Sequence, residues 1–371
     1  MPPVHYHEGR FPPEKSLDWG ALAPLLGPAA AALARYDEIL NVVRNPELLL
    51  APLTTQEAVL SSRIEGTQAT MGEVLEFEAG QEADSPDRRD DIEEVRNYRT
   101  SMREAEEMLT TLPLSLRVVR EAHRVLLSGV RGRNKSPGEY RRIPNWIGPP
   151  GCSIDTAKFV PIGAEKLDEA MSAWERYIHQ ETPDLLVQAA VLHAEFEALH
   201  PFLDGNGRLG RMLVPLFLWQ RGLISRPMFY ISAYFEAHRD AYYDGLLAVS
   251  RDDDWTGWCK FFLEGVRVQA EDNLAKARAI LELYEDMKIR VTELTRSHYA
   301  VHALDWIFER PIFRSIHFVN TADIPEPTAR RVLRVLRENE ILNVVRTGKG
   351  RRSTILSFPD LLNIAEERKL F

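Results

Sequence analysis

The chain has two cysteines in 371 residues, Cys152 and Cys259, far apart and without a metal-spaced partner. That excludes a disulfide framework and a cysteine-bound zinc, and points to a reducing compartment in which both are buried hydrophobes. No basic-then-apolar leader opens the sequence, because Met1 to Arg10 is polar and proline-bearing; secretion is not expected. Long hydrophobic runs are missing too. The densest, Met212 to Trp219, is far too short to span a bilayer and reads as a core helix, so no membrane partner is expected. Nor is there an excess of positive charge: 46 basic residues face 55 acidic ones for a formal charge of -9. This disfavours a protein coated in nucleic acid but leaves room for a local basic patch. What remains is a chain with 44% hydrophobic residues, long enough for two or three domains and expected to be soluble and cytoplasmic.

The informative stretch is His200-Pro201-Phe202-Leu203-Asp204-Gly205-Asn206-Gly207-Arg208-Leu209-Gly210-Arg211. Gly-Asn-Gly at the opening of a helix from Arg208 to Arg221 lets backbone N–H groups converge on an anion, since no Cβ blocks the approach. Arg208 and Arg211, three apart on one helical side, add guanidinium forks for phosphate oxygens. Asp204 offers the hard oxygen that a Mg²⁺ ion bridging two phosphates needs, and His200 is placed to act as base. A histidine before Pro-Phe is commonly a packed residue and Gly-Asn-Gly commonly a turn. The number of fixed positions decides against that, because a chance match is on the order of 10⁻⁸ at average residue usage.

These twelve residues resemble the signature of the Fic family, His-x-Phe-x-Asp/Glu-Gly-Asn-Gly-Arg-x-x-Arg, at every specified position. The resemblance implies a protein adenylyltransferase that moves AMP from ATP onto a Ser, Thr or Tyr hydroxyl of a target protein or of itself. It makes His200 the base and Asp204 the Mg²⁺ ligand. The ATP-binding set becomes Glu65, His200, Gly205, Asn206, Gly207, Arg208, Leu209, Gly210, Arg211 and Tyr243. Asn206 and the loop amides would hold the α- and β-phosphates, and Arg208 and Arg211 the β and γ.

A second pattern lies upstream. Ser61-Ser62-Arg63-Ile64-Glu65-Gly66 resembles the inhibitory motif Ser/Thr-x-x-x-Glu-Gly/Asn of Fic proteins, with Ser61, Glu65 and Gly66 as the inhibitory residues. Alone it is weak, at roughly 0.3 chance matches per chain of this size. The longer run to Thr67 also looks like the N-terminal domain of one Fic class, which implies inhibition in cis. A carboxylate at a helix C-terminus opposes the macrodipole and needs a partner. By the resemblance that partner is Arg211, with Glu65 crowding the γ-phosphate position.

In chain order, prolines at 12, 13, 24 and 28 punctuate an arm before a helix from Ala29 to Val43. Thr54-Thr55-Gln56-Glu57 predicts a capped start to a helix ending at Ile64. Gln81 to Asp91 reads as a solvated linker. Helices follow over Ile92 to Leu109 and Ser115 to Leu127, with His123 a core or surface residue. Arg131 to Val160, with Pro137-Gly138-Glu139-Tyr140-Arg141, Asn145-Trp146-Ile147 and Phe159-Val160-Pro161, predicts a β-hairpin. By the resemblance it is the flap that holds a target segment as an added strand, against the plainer reading of a structural hairpin.

Helices are expected over Ala164 to Glu181, Asp184 to Leu199, Ser232 to Val249, Trp255 to Val268 and Gln269 to Arg296. His193, Glu195 and Glu197 fall on different faces and make no zinc site. The resemblance puts Tyr243 beside the adenine, while Ser250 stands where some relatives carry an asparagine near the base. From His298, helices over Tyr299 to Phe308, Ile312 to Asn320 and Pro327 to Asn339 precede strands Ile341 to Val345 and Ser353 to Phe358, in winged-helix order. Arg330, Arg331, Arg334, Arg337, Arg346, Lys349, Arg351 and Arg352 give this part a positive field suited to DNA, although packing and dimerisation are alternative uses.

The expected fold is mainly α: a Fic-type helical core with a hairpin flap, an N-terminal inhibitory segment and a C-terminal winged helix. Its domains are residues 1–90, 91–268, a connecting helix 269–297, and 298–371. A target protein docks on the flap, with a homodimer and DNA as further partners left open. Three rival activities also stay open: transfer of another phosphate-containing group or removal of AMP from a target, a DNA-binding regulator that senses nucleotide, and a binding module without turnover.

Overall fold

The structure, a computed structural model, describes residues 2–43, 45–129, 131, 133–348 and 353–366. Among them the elements run β1 (Val4–His5), α1 (Trp19–Val42), α2 (Pro46–Leu49), α3 (Ala51–Ile64), α4 (Met71–Glu78), α5 (Pro86–Leu109), α6 (Leu116–Leu126), β2 (Phe159–Val160), α7 (Leu167–Ile178), α8 (Leu185–Leu199) and α9 (Asn206–Gln220). They continue with α10 (Ser232–Ala237), α11 (Arg239–Asp252), α12 (Trp255–Thr295), α13 (Ala300–Glu309), β3 (Ile312–Arg314), α14 (Ser315–Thr321), α15 (Glu326–Glu338), β4 (Asn343–Arg346), β5 (Ile355–Ser357) and α16 (Pro359–Glu366). The chain is mainly α, as expected. No helix among the described residues is long and apolar enough to cross a membrane.

Two compact units form. The first gathers residues 1–38, 60–67 and 96–271, and the second 39–59, 68–95 and 272–371. The first unit is built around α8 and α9. Asp184 caps α8 by accepting from the N–H groups of Leu186 and Val187 at 2.8 and 3.0 Å, satisfying two donors the helix cannot serve itself. Both helices are apolar on nearly every side and buried accordingly, as befits helices at the centre of a bundle. Trp174, Phe196, Phe202, Phe235, Trp255, Trp258 and Phe262 close the core around them.

The N-terminal arm is woven into this unit. β1 pairs in parallel with β2, Val4 opposite Phe159 and His5 opposite Val160. Tyr6 then donates to Glu195 at 2.6 Å, and His7 lies 2.8 Å from both the Glu195 carboxylate and the Ser250 hydroxyl. Ser250 is thereby committed to the arm. The hairpin expected over 131–160 is reduced to one antiparallel bridge between Ile147 and Phe159. Pro137 to Arg141 is a turn rather than a strand: Gly138 adopts φ +80°, and its N–H reaches Nδ1 of His123 at 2.8 Å.

Other boundaries moved for identifiable reasons. α1 begins at Trp19 with Pro24 and Pro28 inside it, so those prolines do not end the arm as expected. The capping box expected at Thr54 is absent because the helix already runs from Ala51, where Thr55 returns its hydroxyl to the Ala51 carbonyl at 3.3 Å. The capping box instead starts α4. There Thr70 accepts from the Glu73 N–H at 3.3 Å and Glu73 accepts from the Thr70 N–H at 2.8 Å. Residues 86–91 of the expected linker form the first turns of α5. The two helices expected over 255–296 are one helix of 41 residues, α12.

In the second unit α13, α14 and α15 pack with a three-stranded antiparallel sheet in the order β3-β5-β4 around Trp306, Phe308, Phe313, Phe318 and Phe358. Ile312 to Arg314 is a strand, not the start of a helix as expected. Arg331 donates to the Thr295 carbonyl at 2.8 Å, Arg330 pairs with Glu326 at 2.8 Å, and Arg334 approaches Glu338 at 4.0 Å. Lys349, Arg351 and Arg352 lie outside the described residues.

Candidate active site

The site forms where α8 hands over to α9. α8 ends at His200, whose φ of +47° turns the chain out of the helix. This left-handed conformation is unusual for a residue with a side chain and is held by its surroundings. Arg141, buried behind the turn, donates Nε to the His200 carbonyl at 2.9 Å and Nη2 to the carbonyls of Leu199 and Ile162. Asn145 donates to the Phe202 carbonyl at 3.2 Å. His123 stacks on Phe202, ring centroids 3.6 Å apart, and lies 3.0 Å from the Asp204 carbonyl. Burial lowers its pKa to about 4, so it is a neutral prop.

Asn206 staples the loop. Its amide oxygen accepts from the Phe202 N–H and its amide nitrogen donates to the Phe202 carbonyl, both at 2.9 Å. Its side chain is therefore spent on the loop, and what Asn206 offers an anion is its main-chain N–H. The first helical bond of α9 runs from Leu209 N–H to Gly205 O at 3.0 Å. The N–H groups of 206, 207 and 208 thus lie ahead of the helix's own acceptors, at its positive end. Gly205 sits at φ +76° against His123, Leu126 and Leu127.

Arg211 is 1% exposed and engaged three ways by the end of α3. Its Nε donates to the Ser61 hydroxyl at 3.0 Å, and its Nη2 to the Ser61 carbonyl at 2.8 Å and to Glu65 Oε1 at 2.7 Å. The α3 terminus explains how Glu65 gets there. Gly66 adopts φ +104°, its N–H bonds Arg63 O at 2.9 Å, and the Thr67 N–H bonds Ser62 O at 3.2 Å. This Schellman-type stop leaves Glu65 as the last side chain before the turn. A Cβ at Gly207 would lie 2.2 Å from Glu65 Oε1 and 3.0 Å from Arg211 Nη1, so the approach of carboxylate to loop requires glycine there. Burial works against the Glu65 charge, but Arg211 overrides it and the carboxyl pKa falls below its usual value.

His200, Glu65, Gly207, Arg211 and Tyr243 line one cleft of about 590 Å³, together with Glu197, Lys158, Phe159, Asp240 and Leu247. Tyr243 also reaches the Ile64 carbonyl at 3.3 Å. Ser61, Asp204, Gly205, Asn206, Arg208, Leu209 and Gly210 are not part of that lining. Leu209 is fully buried, and Arg208 is 4% exposed with Nη2 3.5 Å from Asp204 Oδ1. The Asp204 side chain is 42% exposed. Burial lowers the His200 pKa to about 4 against the pull of Glu65, and its Nδ1 is sealed with no hydrogen-bond partner among the described residues.

Sequence reasoning missed Arg141, Asn145 and the structural part of His123, none of which carries a local signal. It weighed Glu197 only as a zinc ligand, whereas its carboxyl lines the cleft. Its spacing was the available clue, since three residues before His200 is one helical turn back.

Comparison with known proteins agrees with this geometry. Residues 23–107 match the Fic/DOC family N-terminal model, and residues 113–218 match the Fic/DOC family model. A probable protein adenylyltransferase of Aquifex aeolicus is 33% identical over 73 residues, 20% of this chain and 23% of that protein. Protein adenylyltransferase Fic of Culex quinquefasciatus is 30% identical over 143 residues, 38% of this chain and 25% of that protein. The chain thus spans about a quarter of the length of these curated relatives. A Fic family protein from Desulfovibrio desulfuricans superposes with a TM-score of 0.57 at 19% identity, covering 91% of this chain and 95% of that one. Fic-1 from C. elegans gives 0.52 at 20% identity, covering 67% and 71%. These superpositions bear on the fold alone. Matched in that order, the two regions take in more than half of the sequence, and the chain belongs to the Fic/DOC family, with its N-terminal and Fic domains and homology to Fic adenylyltransferases.

Proposed function

We propose that the protein transfers AMP from ATP to hydroxyl side chains of target proteins and of itself, and that Glu65 holds it inactive. The observation that carries this reading is the pairing of Glu65 with Arg211 directly over Gly207, beside His200. The α9 N-terminus receives phosphates through the N–H groups of 206 to 208. Arg211, once released from Glu65, and Arg208 balance the charge that grows on the leaving pyrophosphate. The target hydroxyl oxygen bonds to the α-phosphorus, the bond to the β-phosphate oxygen breaks, and the hydroxyl proton passes to the His200 imidazole. Burial keeps that imidazole neutral and able to accept. The arriving phosphates raise its proton affinity at the moment it is needed.

Mg²⁺ fits this donor set: Asp204 presents one exposed carboxylate, and among the described residues no group of three or more acidic, His or Cys side chains holds a metal by itself. Magnesium bound by one carboxylate and substrate phosphates is the ion's usual habit, and it would neutralise phosphate charge. With Glu65 in place, an anion cannot take Arg211, so ATP sits with its α-phosphate misaligned. The Ile147–Phe159 region serves as the flap, offering main chain to the target segment. The C-terminal helices and sheet are read as a winged helix, in which Arg331 is tied to the Thr295 carbonyl.

Mass spectrometry of the Glu65→Gly variant after incubation with ATP and Mg²⁺ tests the activity. Gain of an AMP moiety on the protein or on added target is expected. Loss of AMP from a pre-modified target, or retained ATP binding without any product, would refute transfer.

A further inference from the structure

Glu197 is a carboxyl that the proposed reaction leaves idle. It lines the cleft with His200, Gly207 and Arg211, and its Oε1 is sealed from solvent with no hydrogen-bond partner among the described residues. A Cβ at Gly210 would lie 2.4 Å from that oxygen, so the carboxyl is pressed against the α9 backbone and depends on glycine for its place. Ionising a carboxyl whose Oε1 is sealed without a partner costs more than leaving it neutral.

We propose that Glu197 is a phosphate-binding residue that works un-ionised, donating its carboxyl proton in a hydrogen bond to a phosphate oxygen of the bound nucleotide. The inference rests on the nucleotide reading of the cleft and adds to it a neutral donor among cationic ones. The charged and titratable groups that share the cleft with Glu197 are Arg211 from α9, Glu65 from the end of α3, Tyr242, Tyr243, Asp240 and Asp244 from α11, Lys158 beside β2, and His200 beyond its own helix; of these Arg211, Glu65 and Tyr242 act on it. Burial dominates these and raises the Glu197 pKa to about 8, with Arg211 opposing and Glu65 assisting. A second carboxylate anion beside a triphosphate would repel it; an acid that keeps its proton does not. The arriving phosphates hold the proton more tightly still.

The test is calorimetric ATP binding, with Mg²⁺, to Glu65→Gly, Glu65→Gly/Glu197→Gln and Glu65→Gly/Glu197→Leu from about pH 6 to about pH 9.5, a range spanning the titration of a raised carboxyl. Glutamine keeps a neutral donor and cannot ionise; leucine keeps neither. The Kd of Glu65→Gly should rise about tenfold per pH unit above the titration point relative to the glutamine variant, whose own profile carries only the ligand's titration. At pH 7 the glutamine variant should match its parent within about twofold, while leucine should lose about ten- to a hundredfold.

A constant ratio between parent and glutamine variant across the range overturns the inference, as does glutamine losing as much as leucine. If Glu65→Gly binds neither ATP nor inorganic triphosphate at any pH, the nucleotide reading itself falls. If a double variant folds poorly, the Glu65→Gly series decides alone: its Kd should climb between about pH 8 and about pH 9.5, and a flat Kd there overturns the inference.

Discussion

Replacing Glu65 by glycine removes one carboxylate from a guanidinium that keeps both of its Ser61 contacts. Arg211 is 1% exposed at its side chain and Glu65 35%, which places the pair between two regimes. A surface pair is worth at most about 1 kcal/mol, and breaking a buried one costs about 3–5 kcal/mol. For a pair open to water on one side, about 2 kcal/mol is reasonable, and that corresponds to roughly a thirtyfold change in a two-state equilibrium. Self-labelling from α-labelled ATP should therefore rise about thirtyfold in initial rate for Glu65→Gly at subsaturating nucleotide. The rise should survive at saturating ATP, because the lock misplaces the α-phosphate rather than merely competing for the site. Equal initial rates for the two proteins at saturating ATP would refute the assignment of Glu65 as inhibitor.

His200→Ala in the Glu65→Gly background should reduce labelling about 10²- to 10⁴-fold while leaving the calorimetric affinity for ATP nearly unchanged; a large loss of affinity would mean that His200 binds rather than acts as base. Gly207→Ala should free the α3 terminus without restoring activity, because its methyl would meet both Glu65 and Arg211. Faster proteolysis near Glu65 with no gain in labelling is the expected pair of results. Two opposed pH effects on stability follow from burial. The folded pKa of His200 is lowered from 6.5 to about 4, so the unfolded chain binds more protons between those values and stability drops as pH falls through them. Glu197 is raised from 4.5 to about 8, so its contribution is full below 4.5 and is lost as pH rises to 8; urea melts of Glu197→Gln should lack that alkaline decline. Thr70→Ala removes the side-chain half of the α4 capping box and should cost about 1 kcal/mol in the same melts.

The arrangement of the site was legible because it is local. A run in which His200, the two loop glycines and Arg211 stand at fixed spacing encodes its own turn and helix start, and the structure places His200, Gly207 and Arg211 around one cleft. The Glu65–Arg211 contact was legible only through resemblance, since nothing in the spacing of residues 65 and 211 brings them together. The hairpin was over-read: Pro137 to Arg141 has turn and strand formers, but burial of Arg141 among the Leu199 and His200 carbonyls sets its conformation. The capping box at Thr54 failed because a Ser/Thr-x-x-Glu-like pattern also fits inside a helix, where Thr55 can bond back to Ala51. Arg141, Asn145 and Glu197 act through contacts at long sequence separation or through burial, neither of which leaves a periodic trace.

The first strand carries a practical lesson. Because Val4 and His5 pair with Phe159 and Val160, and Tyr6 and His7 contact the carboxyl of a Glu195 that is 1% exposed, residues 4–7 brace the wall behind the cleft. Trimming them for crystallisation, or fusing a bulky affinity handle there, would strand Glu195 two residues from Glu197 and unsettle Phe159. Loss of the expected labelling in such a shortened protein would then report on the carpentry of the cleft rather than on the proposed reaction.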